Sequence, residues 1–207
     1  MFGKFSKKKN IITGAIFSVL AVAIIFAVLN LGGGLNKEKN NLQFSPNIKV
    51  ESISSNDLIK NLKYPEYGFT FDYPSELKIK AFLENNGGET LIFKNPTGKE
   101  RRGFQIFIVP FEEASSTPNN AKTLKNETIL TPERIRQDLP SAIIEKPMEV
   151  LIGKDKNKQA LIFFSEDPSI GKTREIWFIH KGNLFEISTY ADLDAWIGPI
   201  TETFKFF

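Results

Sequence analysis

The apolar positions of this chain fall into three regimes. From Ile11 to Leu31 they form a run of 21 residues without a charge. From Leu35 to about Leu62 they are scattered among Asn, Lys and Ser, and from Tyr64 onward they alternate with polar residues in short stretches punctuated by Gly, Pro and Asn. A helix of 21 residues, rising about 1.5 Å per residue, spans roughly 30 Å, the thickness of a bilayer's hydrocarbon core. The first regime therefore predicts a transmembrane helix over residues 11–31. Lys4, Lys7, Lys8 and Lys9 flank it on one side. Lysines stay on the cytoplasmic side, so residues 1–10 are expected to be a basic cytoplasmic tail and the rest of the chain extracytoplasmic. A cleaved secretory signal competes with this reading, but such signals carry about 7–15 apolar residues before a small-residue cleavage site. Ala27 and Leu29 make a poor site of that kind. Gly32–Gly34 ends the helix, and residues 32–63 read as a flexible stalk in which Ser55–Leu62 is compatible with a short helical turn.

Residues 64–207 are expected to form one folded extracytoplasmic domain. Phe69, Phe71 and Tyr73 alternate with Thr70 and Asp72, the signature of a strand with one buried face, and Pro74 stops it. Leu77–Leu83, Glu89–Lys94 and Gly103–Pro110 read as further strands, with turns at Asn85–Gly88 and Asn95–Gly98, where Asn and Gly tolerate backbone angles other residues resist. Glu112–Lys125 is a polar loop. Thr131 then supplies a helix cap, Pro132 suits a first turn, Glu133 faces the exposed amides, and Ile135 and Leu139 share one face before Pro140 closes the element. Ala142–Ile152 and Gln159–Ser165 follow as strands around a charged turn at Gly153–Asn157. After a turn at Pro168–Lys172, Thr173–His180 and Leu184–Tyr190 form a hairpin about Lys181–Gly182–Asn183. Leu193–Phe204 reads as a helix presenting Trp196, Ile200 and Phe204, weakened by Gly198 and Pro199; the closing Phe204, Phe206 and Phe207 fit equally a terminal strand.

The sum is an α+β fold: a transmembrane helix, then a twisted antiparallel sheet of about seven strands flanked by one helix from the middle of the chain and one from its end. Apolar residues on both sides of Gly103–Pro110 require that the sheet be covered on both faces. The 19 phenylalanines supply bulky core material.

Charge divides the chain in the same place. Residues 1–44 hold six lysines and one glutamate, a net of +5, whereas residues 45–207 hold 21 Lys/Arg and 23 Asp/Glu, a net of −2. The outer domain thus lacks the basic footprint of a nucleic-acid binder, and Lys99–Arg101–Arg102 and Lys154–Lys156–Lys158 read as solvated turns. With no cysteine in the chain, the domain folds without disulfides, and thiolate nucleophiles and zinc sites built on several Cys or His ligands are excluded.

Candidate chemistry is sparse. The single histidine, His180, could serve as a base beside Glu175 or Asp192, but alternation makes it a partly exposed strand residue. Gly171–Lys172–Thr173 superficially matches a phosphate loop, yet Glu166 stands where that pattern requires glycine. Asp192, Asp194, Glu166 and Asp167 could meet at a calcium ion but lack an ordered ligand loop; Asp192 fits better as a helix cap. Tyr64, Tyr67, Tyr190 and Trp196 could line an aromatic groove, although Trp196 shares its helical face with Ile200. No residue is assigned as catalytic, cofactor-binding or metal-ligating, and no cofactor is expected.

The stretch Tyr67–Ser75, YGFTFDYPS, together with Gly182–Tyr190, GNLFEISTY, and the closing FKFF, resembles PsbP-like domains and the related Mog1/PsbP fold superfamily. The resemblance covers residues 64–207. It implies an antiparallel sheet flanked by helices and, since that superfamily includes photosystem-associated subunits, a nuclear-transport factor and many exported bacterial proteins, a binding or accessory module more than an enzyme. The expected function is therefore non-covalent binding of an envelope protein by a domain held at the bilayer through residues 11–31. A carrier of a small apolar ligand or lipid, and a carboxylate-dependent hydrolase, are the alternatives.

Overall fold

The computed structural model describes residues 49–52, 58–84, 87–97, 102–111, 130–139, 143–167 and 171–207. The expected cytoplasmic tail, the transmembrane segment 11–31, the stalk as far as residue 48 and the loop Glu112–Lys125 lie outside these residues. Among the described residues no helix is long and apolar enough to cross a membrane.

The strands assort into two antiparallel sheets where the sequence suggested one. The smaller contains β1 (Lys49–Ser52), β2 (Ile59–Tyr64), β3 (Phe69–Pro74) and β12 (Lys205–Phe206), in that order across the sheet. The larger contains β4 (Lys78–Leu83), β5 (Glu89–Lys94), β6 (Gly103–Pro110), β11 (Asn183–Tyr190), β10 (Gly171–His180) and β9 (Lys158–Asp167). The outer side of β9 pairs with both β7 (Ile143–Ile144) and β8 (Met148–Ile152). Two helices accompany them, α1 (Pro132–Asp138) and α2 (Asp194–Glu202).

Two of these strands lie inside the range read as stalk. β2 pairs with β3 from Ile59↔Pro74 to Tyr64↔Phe69, and β1 pairs with β2. Only Leu62 and Tyr64 of β2 are buried, so the strand carries too few apolar positions to announce itself. Likewise Ala142–Ile152 is not one strand. Pro147, which has no N–H to give to the ladder, separates β7 from β8.

The hairpin between β10 and β11 follows from its turn. Lys181 and Gly182 adopt φ 49° and 71°, and positive φ at both central residues suits the right-handed twist of the flanking strands. His180 thus faces Asn183 at one end and Thr173 faces Tyr190 at the other.

The main core lies between the two sheets and α2. Phe69, Phe71 and Tyr73 of β3 meet Leu91, Phe93, Phe104, Ile106, Phe178, Phe185 and Ile187 of the larger sheet, with Ile197 and Ile200 of α2 closing one side. Phe71 stacks on Phe204 and Phe93 on Phe104, both at 4.3 Å between ring centroids. That stacking decides the end of the chain. A 3-10 turn, Ala191–Leu193, leads into α2, which stops at Glu202 so that Phe204 can enter the core, and Lys205–Phe206 then extends along β3. Thr203 secures the exit, accepting from the Asp72 N–H at 2.9 Å.

The opposite face of the larger sheet is covered by α1, as the apolar residues on both faces required. Thr131 caps this helix, accepting from the Arg134 N–H at 3.3 Å. Ile135 and Leu139 are buried against Leu161, Phe163, Trp177 and Leu184.

Candidate functional site

The chemically distinctive region lies on this second face. Side chains directly opposite one another on adjacent strands share a face. Gln105, Ser188, Glu175 and Phe163 form one such row across β6, β11, β10 and β9, and Phe107, Glu186, Trp177 and Leu161 form the next. A third row brings Tyr190, Thr173 and Ser165 together. A diagonal band of polar side chains, Glu186, Ser188, Glu175, Thr173 and Ser165, thereby crosses an otherwise apolar face. All five are buried.

Glu175 is the centre of this band. Its Oε1 accepts from Thr173 Oγ1 at 2.6 Å and Ser165 Oγ at 3.3 Å, and its Oε2 accepts from the Ser188 hydroxyl and from Trp177 Nε1 at 3.2 Å. Burial pushes the carboxyl above its ordinary range, while the four donors act in the opposite direction. Glu186 lies diagonally across on β11. Its carboxyl is held well above the usual range, chiefly by burial and further by the negative charges of Asp138 and Glu175, with Arg134 opposing. Asp138, at the end of α1, is also raised by burial although Arg134 Nε lies 2.8 Å from its Oδ2. Gln105 completes the band: it is 1% exposed, and its Oε1 has no hydrogen-bonding partner among the described residues.

A third buried acid, Glu89, lies on the main-core side. Glu89 accepts a short hydrogen bond from the Tyr64 hydroxyl, and the nearby Tyr67 hydroxyl is pushed up to about 12, first by burial and then by Glu89.

The residues singled out in the sequence are dispersed. Glu175 and His180 differ by an odd number of positions on β10 and so face opposite sides of the sheet; Asp192 follows the far end of the β10–β11 hairpin. His180 instead hydrogen-bonds through Nε2 to the Gly68 carbonyl at 3.0 Å and packs on Phe206. Burial first, then the positive charges of Lys158 and Lys181, lower its pKa against the opposing hydrogen bonds. Asp192 caps no helix: it lies within the 3-10 turn, and no side chain caps the start of α2. Asp194 is 2.8 Å from Arg174 Nε, an ion pair that ties α2 to β10. Among the described residues no group of three or more acidic or histidine side chains is arranged to hold a metal ion. Lys172 is paired with Glu145 at 2.6 Å on an extended strand, a geometry unlike a phosphate loop. Tyr64 and Tyr190 are buried, and Tyr67 and Trp196 are half-buried against the main core.

Glu186 and Gln105 carry no functional signal in the sequence. Each alternates with apolar neighbours and reads as the solvent side of a strand, yet both are interior, Glu186 lying beside Arg134 and Asp138 of α1.

One edge of the larger sheet differs from this closed interior. β7 and β8 pair only with β9 among the described strands, and they carry Ile143, Met148 and Leu151 at 71%, 57% and 57% exposure.

The chain is thus a two-sheet antiparallel α+β domain with a buried carboxylate band and an open apolar edge. No family model matches it, and no curated protein matches it. Among solved structures it is similar to the solution structure of cyanobacterial PsbP (CyanoP) from Synechocystis sp. PCC 6803, with 12% identity over 73% of this chain and 94% of that one and a TM-score of 0.44. A likeness of this size carries nothing about ligand or activity.

Proposed function

We propose that this protein is a membrane-anchored extracytoplasmic binding or accessory module that recognises an envelope protein. The observation that carries the reading is the β7–β8 edge. Unpaired strand edges offer backbone donors and acceptors to an added strand. Large exposed apolar side chains flank this edge, Ile143 and Met148 on one face of the sheet and Leu151 on the other, and supply contact area that a partner strand would bury. The lysine-flanked run Ile11–Leu31 supplies the anchor, with the domain outside the cytoplasm.

Two features favour binding over the alternatives. A hydrolase would need an acidic pair open to substrate, but Glu175 and Glu186 are both buried and Glu175's lone pairs are engaged by four donors, whereas a working acid or base must reach a substrate proton. The phenylalanines, which an apolar-ligand carrier would arrange around a cavity, stack on one another in the core.

A photo-crosslinking side chain placed at Leu151 in the full chain, in intact cells, should give a discrete adduct with an envelope protein. Met148→Asp with Ile143→Asp should abolish the adduct while leaving the circular dichroism and unfolding midpoint of the domain unchanged. Absence of any adduct from this edge, together with turnover of a defined substrate by the purified protein, would overturn the reading in favour of an enzyme.

A further inference from the structure

A second surface is built around the point where the N-terminal segment joins the domain. Lys63 of β2 lies opposite Thr70 of β3, and Thr70 lies opposite Lys205 of β12. Lys49, the first residue of β1, occupies the register position opposite Lys63. One cross-strand row of four residues therefore contains three lysine positions, and the tether enters the domain at its end. Lys63 and Lys205 are exposed, on the side of the sheet away from Phe69 and Phe71.

The β10–β11 turn adds to this cluster. Lys181 lies across Gly68, so close that a Cβ there would stand 2.5 Å from its Nζ. Lys63 Nζ and Lys181 Nζ each sit 5.8 Å from the ring centroid of Phe207, which is 51% exposed. Phe207 is itself fastened by its N–H to the Gly68 carbonyl at 2.9 Å. Lys158 lies 5.4 Å from the neighbouring Phe206 ring. Lys63, Lys181 and Lys205 enter none of the ion pairs among the described residues. In a domain of net −2, this gathers three lysines that make no side-chain ion pair among the described residues around an exposed aromatic ring.

We infer that the face bearing Lys63, Lys181, Lys205 and Phe207 rests on the membrane surface and binds anionic lipid headgroups. Lysines near a bilayer are drawn to an anionic surface within about a Debye length, roughly 8–10 Å at moderate salt, and aromatic rings partition to the headgroup level. Seventeen residues, 32–48, separate the apolar run from β1. If that segment is the stalk of the anchored reading, its root-mean-square reach would be on the order of 20–25 Å, which would keep this face at high effective concentration at the bilayer. An acidic protein would be met by the same charges, but the position of the tether favours the membrane. The inference rests on the anchored reading above and orients the domain, leaving the β7–β8 edge for its protein partner.

The test is lysine acylation read by mass spectrometry on the full chain in nanodiscs of phosphatidylcholine alone or mixed with phosphatidylglycerol. Lys63, Lys181 and Lys205 should label several-fold more slowly in the anionic discs, and high salt should remove the difference. Lys172, at the opposite end of β10 from the turn, should label alike in both. The triple change Lys63→Gln, Lys181→Gln, Lys205→Gln should leave unfolding intact and abolish the salt-dependent slowing of hydrogen exchange at Gly68 and Phe207 in anionic discs. Equal labelling in both lipids, or protection that appears only on adding envelope proteins, would overturn the proposal. If the chain does not co-purify with discs, the anchor reading fails by itself, and adding anionic vesicles to the free chain decides the surface: protection supports it and its absence overturns it.

Discussion

Glu186 shows how far one residue's chemistry depends on what covers it. On β11 it occupies a position alternating with Phe185 and Ile187, and a carboxylate there would be solvated if the face were open. Under α1 it is 3% exposed, and burial together with Asp138 and Glu175 raises its pKa well above the ordinary value. The linkage sign follows. A carboxyl whose folded pKa is raised binds its proton more tightly in the native state, so its favourable contribution is fully present below the unfolded value of about 4.3 and is lost as pH rises through the folded value. Glu175 and Asp138 shift in the same direction. Urea midpoints should therefore fall as pH rises from the weakly acidic range upward. Glu186→Gln, which keeps the size and removes the charge, should flatten that fall and raise the midpoint at alkaline pH. A variant whose pH profile parallels the native one would show that Glu186 does not titrate in this range.

At the scale of elements, α1 is the piece most dependent on its contacts. It has seven residues, and an isolated helix shorter than about 12–15 residues is marginal in water. Its stability comes from its cap and from the face carrying Ile135 and Leu139. Ile135 is wholly buried, so Ile135→Ala should destabilise the domain by about 2–5 kcal/mol, whereas Thr131→Ala, losing one cap bond, should lower stability by about 1 kcal/mol. Denaturant titration separates them. Equal small effects would mean that α1 is not part of the cooperative unit. Thr131, Pro132, Ile135 and Leu139 made this helix legible in the sequence. β2 was not, because its burial is confined to Leu62 and Tyr64 and its remaining residues look like linker.

For the whole molecule, the extent of the folded unit is the sharpest consequence. Leu62, Tyr64, Phe69 and Phe71 lie in one core with Phe204, which binds residues separated by most of the domain's length. A truncation beginning at Tyr64 removes β1 and most of β2, uncovering β3 on the side away from β12. It should lose cooperative unfolding or become insoluble, while one beginning at residue 48 should unfold in a single transition. Calorimetry on the two fragments checks this. A stable, cooperative fragment from Tyr64 would restore the sheet boundary suggested by composition.

By itself, the sequence determined the strands that alternate cleanly and the helix with a full set of terminal signals, because periodicity and capping are local properties. It also determined the lysine-flanked apolar run and the absence of thiol chemistry. Tertiary structure decided the division into two sheets, the strand at Lys205–Phe206 and the interior character of Glu175, Glu186 and Gln105. It likewise brought Lys63, Lys181 and Lys205 together from three distant parts of the chain. Burial and charge clustering depend on which segments meet across a fold, and spacing along the chain does not encode the identity of a residue's cover.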